Sequence, residues 1–348
     1  MLGWLISQSG KLPPLDPAQK PTPGPRPGQA RTNALAPTAK TPAGVSLPDT
    51  ARTNLVAPPR RFKPRPVQDV LEAQLALLRR GISCGSIDGV LGSQTRAALR
   101  VYQQQMALPV SGELDPATRM RLLLEETPYT FYTITATDFT RLLPVARTWL
   151  GKSDQDRLDF ENILELVSEQ ACAHPNLIRR LNPAVDWTNV VAGTAVQVPN
   201  ANLPDPRSKA AFVRILLSAK TLQAFDASTN VLAHSPCSIA RSVEKRPVGE
   251  LRVAVIVQNP DYTFDPKIFP ESPEARTIKR KLKVPAGPNN PVGTAWIGLD
   301  RPGYGIHGTP RPEDVGRTES HGCFRLANWN AEYLAKITWV GMPVYVEP

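Results

Sequence analysis

A chain of 348 residues, 41% of them apolar, is too long for one ordinary core and suits two to four packed units. Fourteen of its 37 prolines fall in residues 1–66, with ten Lys and Arg against only Asp16 and Asp49, so this segment holds +8 of the formal +10 charge. The remaining +2 excludes a basic nucleic-acid-binding fold, and no nucleic-acid partner is expected.

Residues 1–65 read as a disordered, Pro-rich basic linker. A stretch so poor in aromatics cannot bury enough apolar surface to order itself, and its charge suits an anionic surface. The opening "MLGWLI" is apolar but lacks a basic n-region and is too short for a signal-peptide core. No stretch approaches the ~20 apolar residues of a membrane span.

Order begins near residue 66. Val67, Val70, Leu71, Leu75 and Leu78 recur at helical spacing and predict a helix over 67–80. Asp88-Gly89 marks a turn, with Ser93 as expected N-cap of a second helix over 94–106. Ser111-Gly112 marks another turn, after which Asp115 and Pro116 open a third helix. The result is a small three-helix domain over 66–126. It resembles the peptidoglycan-binding three-helix domain: Gly81, Gly85, Asp88, Gly89, Gly92, Thr95, Gln103 and Gly112 match that family's pattern, and Ala107 departs where Gly is common.

Residues 145–201 read as a small α+β module, with helices over 161–170 and 175–181 and a β segment over 194–199. Through Leu181-Asn182-Pro183 and "AGTAVQVP" it resembles a degenerate LysM carbohydrate-binding module. That family's β-α-α-β order calls for a first strand, which is expected at 145–150.

From about 207 the pattern becomes β. "FVRILLS", "LQAFDA", "VLAHSPCSIA", "ELRVAVIV", "TAWIGL" and "MPVYVE" are short strands broken by turn signals, with one helix over 328–337. The expected fold class is therefore multidomain: an all-α three-helix domain, an α+β LysM-like module, and a mainly-β, sandwich-like C-terminal domain over 207–348.

One stretch concentrates the chemistry. "GYGIHGTPRPEDVGRTESHGCFRL" gathers His307, His321 and Cys323 in a chain with four His and four Cys. Cys84, Cys172 and Cys237 form no CxxC pair and read as small buried hydrophobes. A cysteine nucleophile needs a base, because its free pKa is about 8.5, and backbone N–H donors for the oxyanion it creates. His307 ends an apolar-bounded strand sixteen residues before Cys323, and Gly322 lets the main chain approach a substrate. A zinc site is the rival use of His, His and Cys, but Glu313, Asp314 and Glu319 stand at no metal-ligand spacing. A serine acyltransferase is the other rival: "SVEK" and "STN" fit two of its motifs, but in the wrong order and without K-T-G. Neither a metal nor a cofactor is expected.

"IHGT" followed by "SHGCFRL" resembles the L,D-transpeptidase catalytic domain. "RPVGELRV" (with Arg246 departing at a usual Thr), "GPNNPVGTAWIGL" and "LANWNAEYLAKITWVGMPVYV" extend the resemblance over 207–348. It implies Cys323 as nucleophile, His307 as general base, and His321 and Gly322 with the Cys323 amide around the oxyanion. Arg325 would pair with a substrate carboxylate, while Ser320 and Asn328 hold the loop. The implied substrate is the tetrapeptide stem of peptidoglycan: a thioester forms, D-alanine leaves, and an amine of another stem takes the acyl group. Water as acceptor would make a carboxypeptidase, and a protein lysine an anchoring enzyme. A non-catalytic wall-binding protein is the reading of a different class. Peptidoglycan is the expected partner, and oligomeric state is not legible. The resemblance places the protein in the cell wall or periplasm, so an export segment is expected upstream of "MLGWLI".

Overall fold

The computed structural model describes residues 62–267, 272–318 and 322–348. The expected linker thus lies almost wholly outside the described residues, as do Ser320 and His321.

The first module is closed by a two-residue ladder, β1 (Arg65–Pro66) with β2 (Leu123–Leu124), around three helices: α1 (Val70–Leu78), α2 (Ser93–Gln105) and α3 (Pro116–Arg121). Asp69 caps α1 through the Glu72 amide, and Asp115 caps α3 through that of Thr118. Ser93 is not a cap: it is the first helical residue, and Gly92 occupies the cap position without a side-chain bond. Two buried amides organise the turns. Gln74 accepts from the Gly89 amide at 2.8 Å and donates to Asp88 at 2.8 Å; Gln103 accepts from the Gly112 amide at 2.8 Å and donates to Thr118 at 2.9 Å. Gly89 and Gly112 both stand at φ +74°, a conformation costly for any residue with a Cβ.

The middle module runs β3 (Tyr129–Thr133), α4 (Ala136–Thr140), α5 (Trp149–Ser153), α6 (Ile163–Gln170), α7 (Pro175–Leu181) and β4 (Ala195–Pro199). Here the reading of 145–150 as a strand fails. Thr148 caps a helix that begins at Trp149, and the Trp149 amide also donates to Glu274 at 2.9 Å. The partner of β4 is β3, paired antiparallel from Tyr129↔Pro199 to Thr133↔Ala195. The strand that pairs with β4 thus lies upstream of the expected boundary, and four helices rather than two separate the pair.

The C-terminal domain is mainly β, as read. Its strands are β5 (Phe212–Leu216), β6 (Thr221–Phe225), β7 (Val231–Pro236), β8 (Gly249–Gln258), β9 (Tyr262–Phe264), β10 (Leu282–Val284), β11 (Ala295–Leu299), β12 (Gly305–His307), β13 (Phe324–Arg325) and β14 (Pro343–Glu347); α8 (Asn328–Ile337) precedes the last. Eight form one curled sheet, ordered β13-β12-β11-β8-β14-β5-β6-β7. The first half of β8 pairs with β14 and the second half with β11, so one long strand joins two halves. Val213, Ile215 and Val344 of one half meet Ile297, Ile306 and Phe324 of the other, with Leu334 and Ile337 of α8 completing the core. Separately, β9 and β10 pair and present Phe264 to the Trp149 ring, stacked at 4.4 Å.

The modules share packing. A continuous core runs through the first two and includes Ala327 and Trp329 of the third. Along the free side of β7, His234 exchanges backbone hydrogen bonds with the first module: its amide donates to Gly81 at 2.9 Å, and its carbonyl accepts from Ser83 at 2.8 Å.

Candidate active site

The site grows from a parallel pair of very short strands. β12 and β13 align Ile306 with Phe324 and His307 with Arg325. Side chains alternate along a strand, so Ile306 and Phe324 enter the core while Gly305, His307, Cys323 and Arg325 share the other face. His307 and Cys323 stand two positions apart across this ladder, about 8 Å between Cα atoms from strand spacing and rise. Trp296 of β11 pairs with His307, and its indole stacks on the imidazole at 5.6 Å and 25°. Room for that indole comes from Gly305, where a Cβ would lie 2.5 Å from the Trp296 ring.

The imidazole is fixed in one state. Its Nδ1 lies 2.6 Å from the Gly308 carbonyl, which only accepts, so Nδ1 carries the proton and Nε2 the lone pair. Burial lowers the His307 pKa to about 4, so the ring is a neutral base at ordinary pH. Asn328 anchors the segment behind it: its Oδ1 accepts from Thr309 at 2.9 Å and Thr294 at 3.3 Å, and its Nδ2 donates to Pro288 at 3.3 Å. Gly293 and Gly308 leave the space that this side chain fills.

Cys323 lies 5% exposed in a group with Tyr262, Phe264 and Trp296. Its thiol donates to the Gly303 carbonyl at 3.5 Å. Burial pushes its pKa up to about 12, while the Gly305 amide and the Arg325 charge pull the other way. Arg325 donates to Thr318 Oγ1 at 3.3 Å and, with Ser238, Thr309, Arg311 and Asp314, lines a polar pocket of about 130 Å³. A Cβ at Gly322 meets no atom of the described residues within 4 Å. Cys84, Cys172 and Cys237 are buried, and burial raises the pKa of each.

Of the six residues singled out from the sequence, four meet here: His307, Gly322, Cys323 and Arg325. Ser320 and His321 lie outside the described residues. Trp296, Ser238 and the Gly308 carbonyl were not anticipated. Glycines at 298 and 305, bracketing the aromatic strand, were the available signal for Trp296; Ser238 had none. Among the described residues no group of three or more His, Cys, Asp or Glu is arranged to hold a metal ion, and no helix is long and apolar enough to cross a membrane.

Two family models match this chain. Residues 210–346 match the L,D-transpeptidase catalytic domain, and residues 66–122 match a model described as "Putative peptidoglycan binding domain". The chain therefore carries a catalytic domain of the L,D-transpeptidase family behind a peptidoglycan-binding domain. Among its relatives, "Putative L,D-transpeptidase YqjB" of Bacillus subtilis is 37% identical over 29% of this chain and 51% of that protein. "Putative L,D-transpeptidase YkuD" of the same organism is 26% identical over 47% of this chain and 81% of that protein. A solved L,D-transpeptidase from Mycobacterium smegmatis aligns at 18% identity and TM-score 0.32 over 46% of this chain and 65% of that one. The chain thus spans about half the length of the first of these relatives.

Proposed function

We propose that the protein is a cysteine-dependent L,D-transpeptidase acting on peptidoglycan tetrapeptide stems in the cell wall or periplasm. The observation that supports this most is the β12–β13 pairing, which sets His307 and Cys323 on one face while the Gly308 carbonyl keeps the His307 lone pair on Nε2.

In this reading His307 Nε2 takes the thiol proton as Cys323 Sγ attacks the carbonyl that precedes the terminal D-alanine. Charge developing on that oxygen meets the backbone amides of Gly322 and Cys323. The C–N bond then breaks, the imidazolium returns its proton to the departing D-alanine amine, and a thioester remains on Cys323. An amine of a second stem attacks the thioester and passes its proton through His307 back to the sulfur. Arg325, opening on the polar pocket, suits a substrate carboxylate. With His307 neutral and Cys323 protonated at rest, thiolate forms only as a substrate is attacked. The first module, by its resemblance, would hold the enzyme on the wall.

The test is intact mass of the full chain after incubation with a carbapenem, an acyl donor of this family, beside Cys323→Ala. One adduct, absent from the variant, is expected, followed by release of D-alanine from a tetrapeptide stem. A folded chain that takes no adduct and releases no D-alanine would return weight to a wall-binding protein without catalysis.

A further inference from the structure

The first module reaches the catalytic loop directly. Gln94, in the first turn of α2, donates from Nε2 to the Val315 carbonyl at 2.6 Å. Gly85 and Gly316 both stand in the left-handed region, at φ +82° and +73°, and a Cβ at either would lie 2.7 Å from the Gln94 amide. The amide is therefore clasped between the corner of its own module and the loop. Asp88, of the same corner, faces Arg317 at 3.8 Å.

The other face of this loop belongs to the site. Val315, 4% exposed, and Thr318 line the polar pocket beside Arg325. The Gly316 amide donates to Ser238 Oγ at 2.8 Å, and Ser238 exchanges backbone hydrogen bonds with Arg325 at 2.9 and 3.0 Å. Gln94 thus sits on one side of a single layer of backbone whose far side forms the wall of the pocket, which Arg325, two residues along the chain from Cys323, also lines.

We infer that Gln94 of the peptidoglycan-binding module is a positioning residue for the acyl donor, setting the wall of the pocket beside Arg325 through the Val315 carbonyl. The inference rests on the proposed transpeptidase reading. Its logic is that a hydrogen bond of ordinary strength decides where a short loop stands, and misplacing a binding wall by an ångström lowers rate far more than it lowers stability.

The test compares full-length wild type with Gln94→Met, which keeps the length and removes the donor, and Gln94→Glu, which turns an acceptor towards the carbonyl. Carbapenem acylation is expected to slow about 10-fold in Gln94→Met and further in Gln94→Glu, mostly through weaker binding of the donor. Alkylation of Cys323 by iodoacetamide, too small to need the pocket wall, stays at the wild-type rate, as does the melting temperature. Hydrogen exchange at 314–318 rises in both variants, and this readout stands whether or not a carbapenem reacts. Wild-type acylation and unchanged exchange in the variants would overturn the inference, as would a parallel fall in acylation, alkylation and melting temperature. Wild type that resists the carbapenem overturns the transpeptidase reading instead, leaving exchange to decide whether Gln94 holds the loop.

Discussion

His307 Nδ1 lies 2.6 Å from the carbonyl oxygen of Gly308, so the ring presents Nε2 as its base. With a pKa near 4, the base is disabled only when acidification protonates it. Acylation by a carbapenem should therefore hold from pH 7 to about 5 and fall as pH drops through about 4. His307→Gln should lower acylation by about 10²–10⁴-fold at pH 7.

The state of the thiol makes a separate prediction. Burial pushes the Cys323 thiol up to about 12, which keeps it protonated at rest. Alkylation by iodoacetamide, followed by mass, should rise steadily from pH 7 through pH 10 without a plateau near neutrality. A plateau between pH 5 and 8 would mark a preformed ion pair and contradict this electrostatic picture.

Two glycines should respond in opposite ways. Gly305→Ala drives a methyl into the Trp296 indole, 2.5 Å from a Cβ, and should cost about 1–3 kcal/mol in urea unfolding as well as activity. A methyl at Gly322 meets no atom of the described residues within 4 Å, so Gly322→Ala should leave stability within about 0.5 kcal/mol while slowing acylation by a carbapenem. Equal stability of the two variants would refute the packing argument.

Asn328→Ala removes the acceptor of two backbone amides, those of Thr294 and Thr309, in a side chain 1% exposed. Stranding buried donors costs about 1–3 kcal/mol each, so a loss of several kcal/mol is expected by urea unfolding. Asn328→Asp, which keeps the acceptor oxygen, should lose less.

His234 should make the fold sensitive to acid. It is 2% exposed, neither ring nitrogen finds a hydrogen-bond partner among the described residues, and burial lowers its pKa to about 4. An unfolded histidine, titrating near 6.5, binds more protons than the folded one between about pH 6.5 and 4, so stability falls as pH falls through that window. The penalty at pH 5 is about 2 kcal/mol relative to pH 7. Urea unfolding of His234→Leu should show a smaller drop between those two pH values than wild type; an identical drop would exclude this histidine as a source.

Legibility in the sequence followed the range of the interactions. Helix α8 was read at its observed bounds, and β5, β6, β8 and β11 were visible as short apolar runs, because a local period reports a local face. Strand β3 was overlooked, although its "YTFYT" alternates, because it pairs with a segment more than sixty residues away. Ser93 was misread as a cap because an extended glycine does that job one residue earlier. The shared face of His307 and Cys323 was legible because both fall within one short stretch of the chain. Ser238, Trp296 and Gln94 reach the site only through sheet order and module packing, which no spacing in the chain records.

The backbone bonds between His234 and residues 81–83 bear on how such proteins are assembled from parts. β7 is the outermost strand of the eight-stranded sheet, and the amide and carbonyl of His234 on its outward side are met by the first module. A catalytic domain produced without that module would present a bare edge, which invites another copy to add its own strand. The two matched domains are thus not interchangeable beads on a string: exchanging the first module for an unrelated one would require the newcomer to supply a short extended segment at the same place, or the exposed edge would make the chain prone to clump.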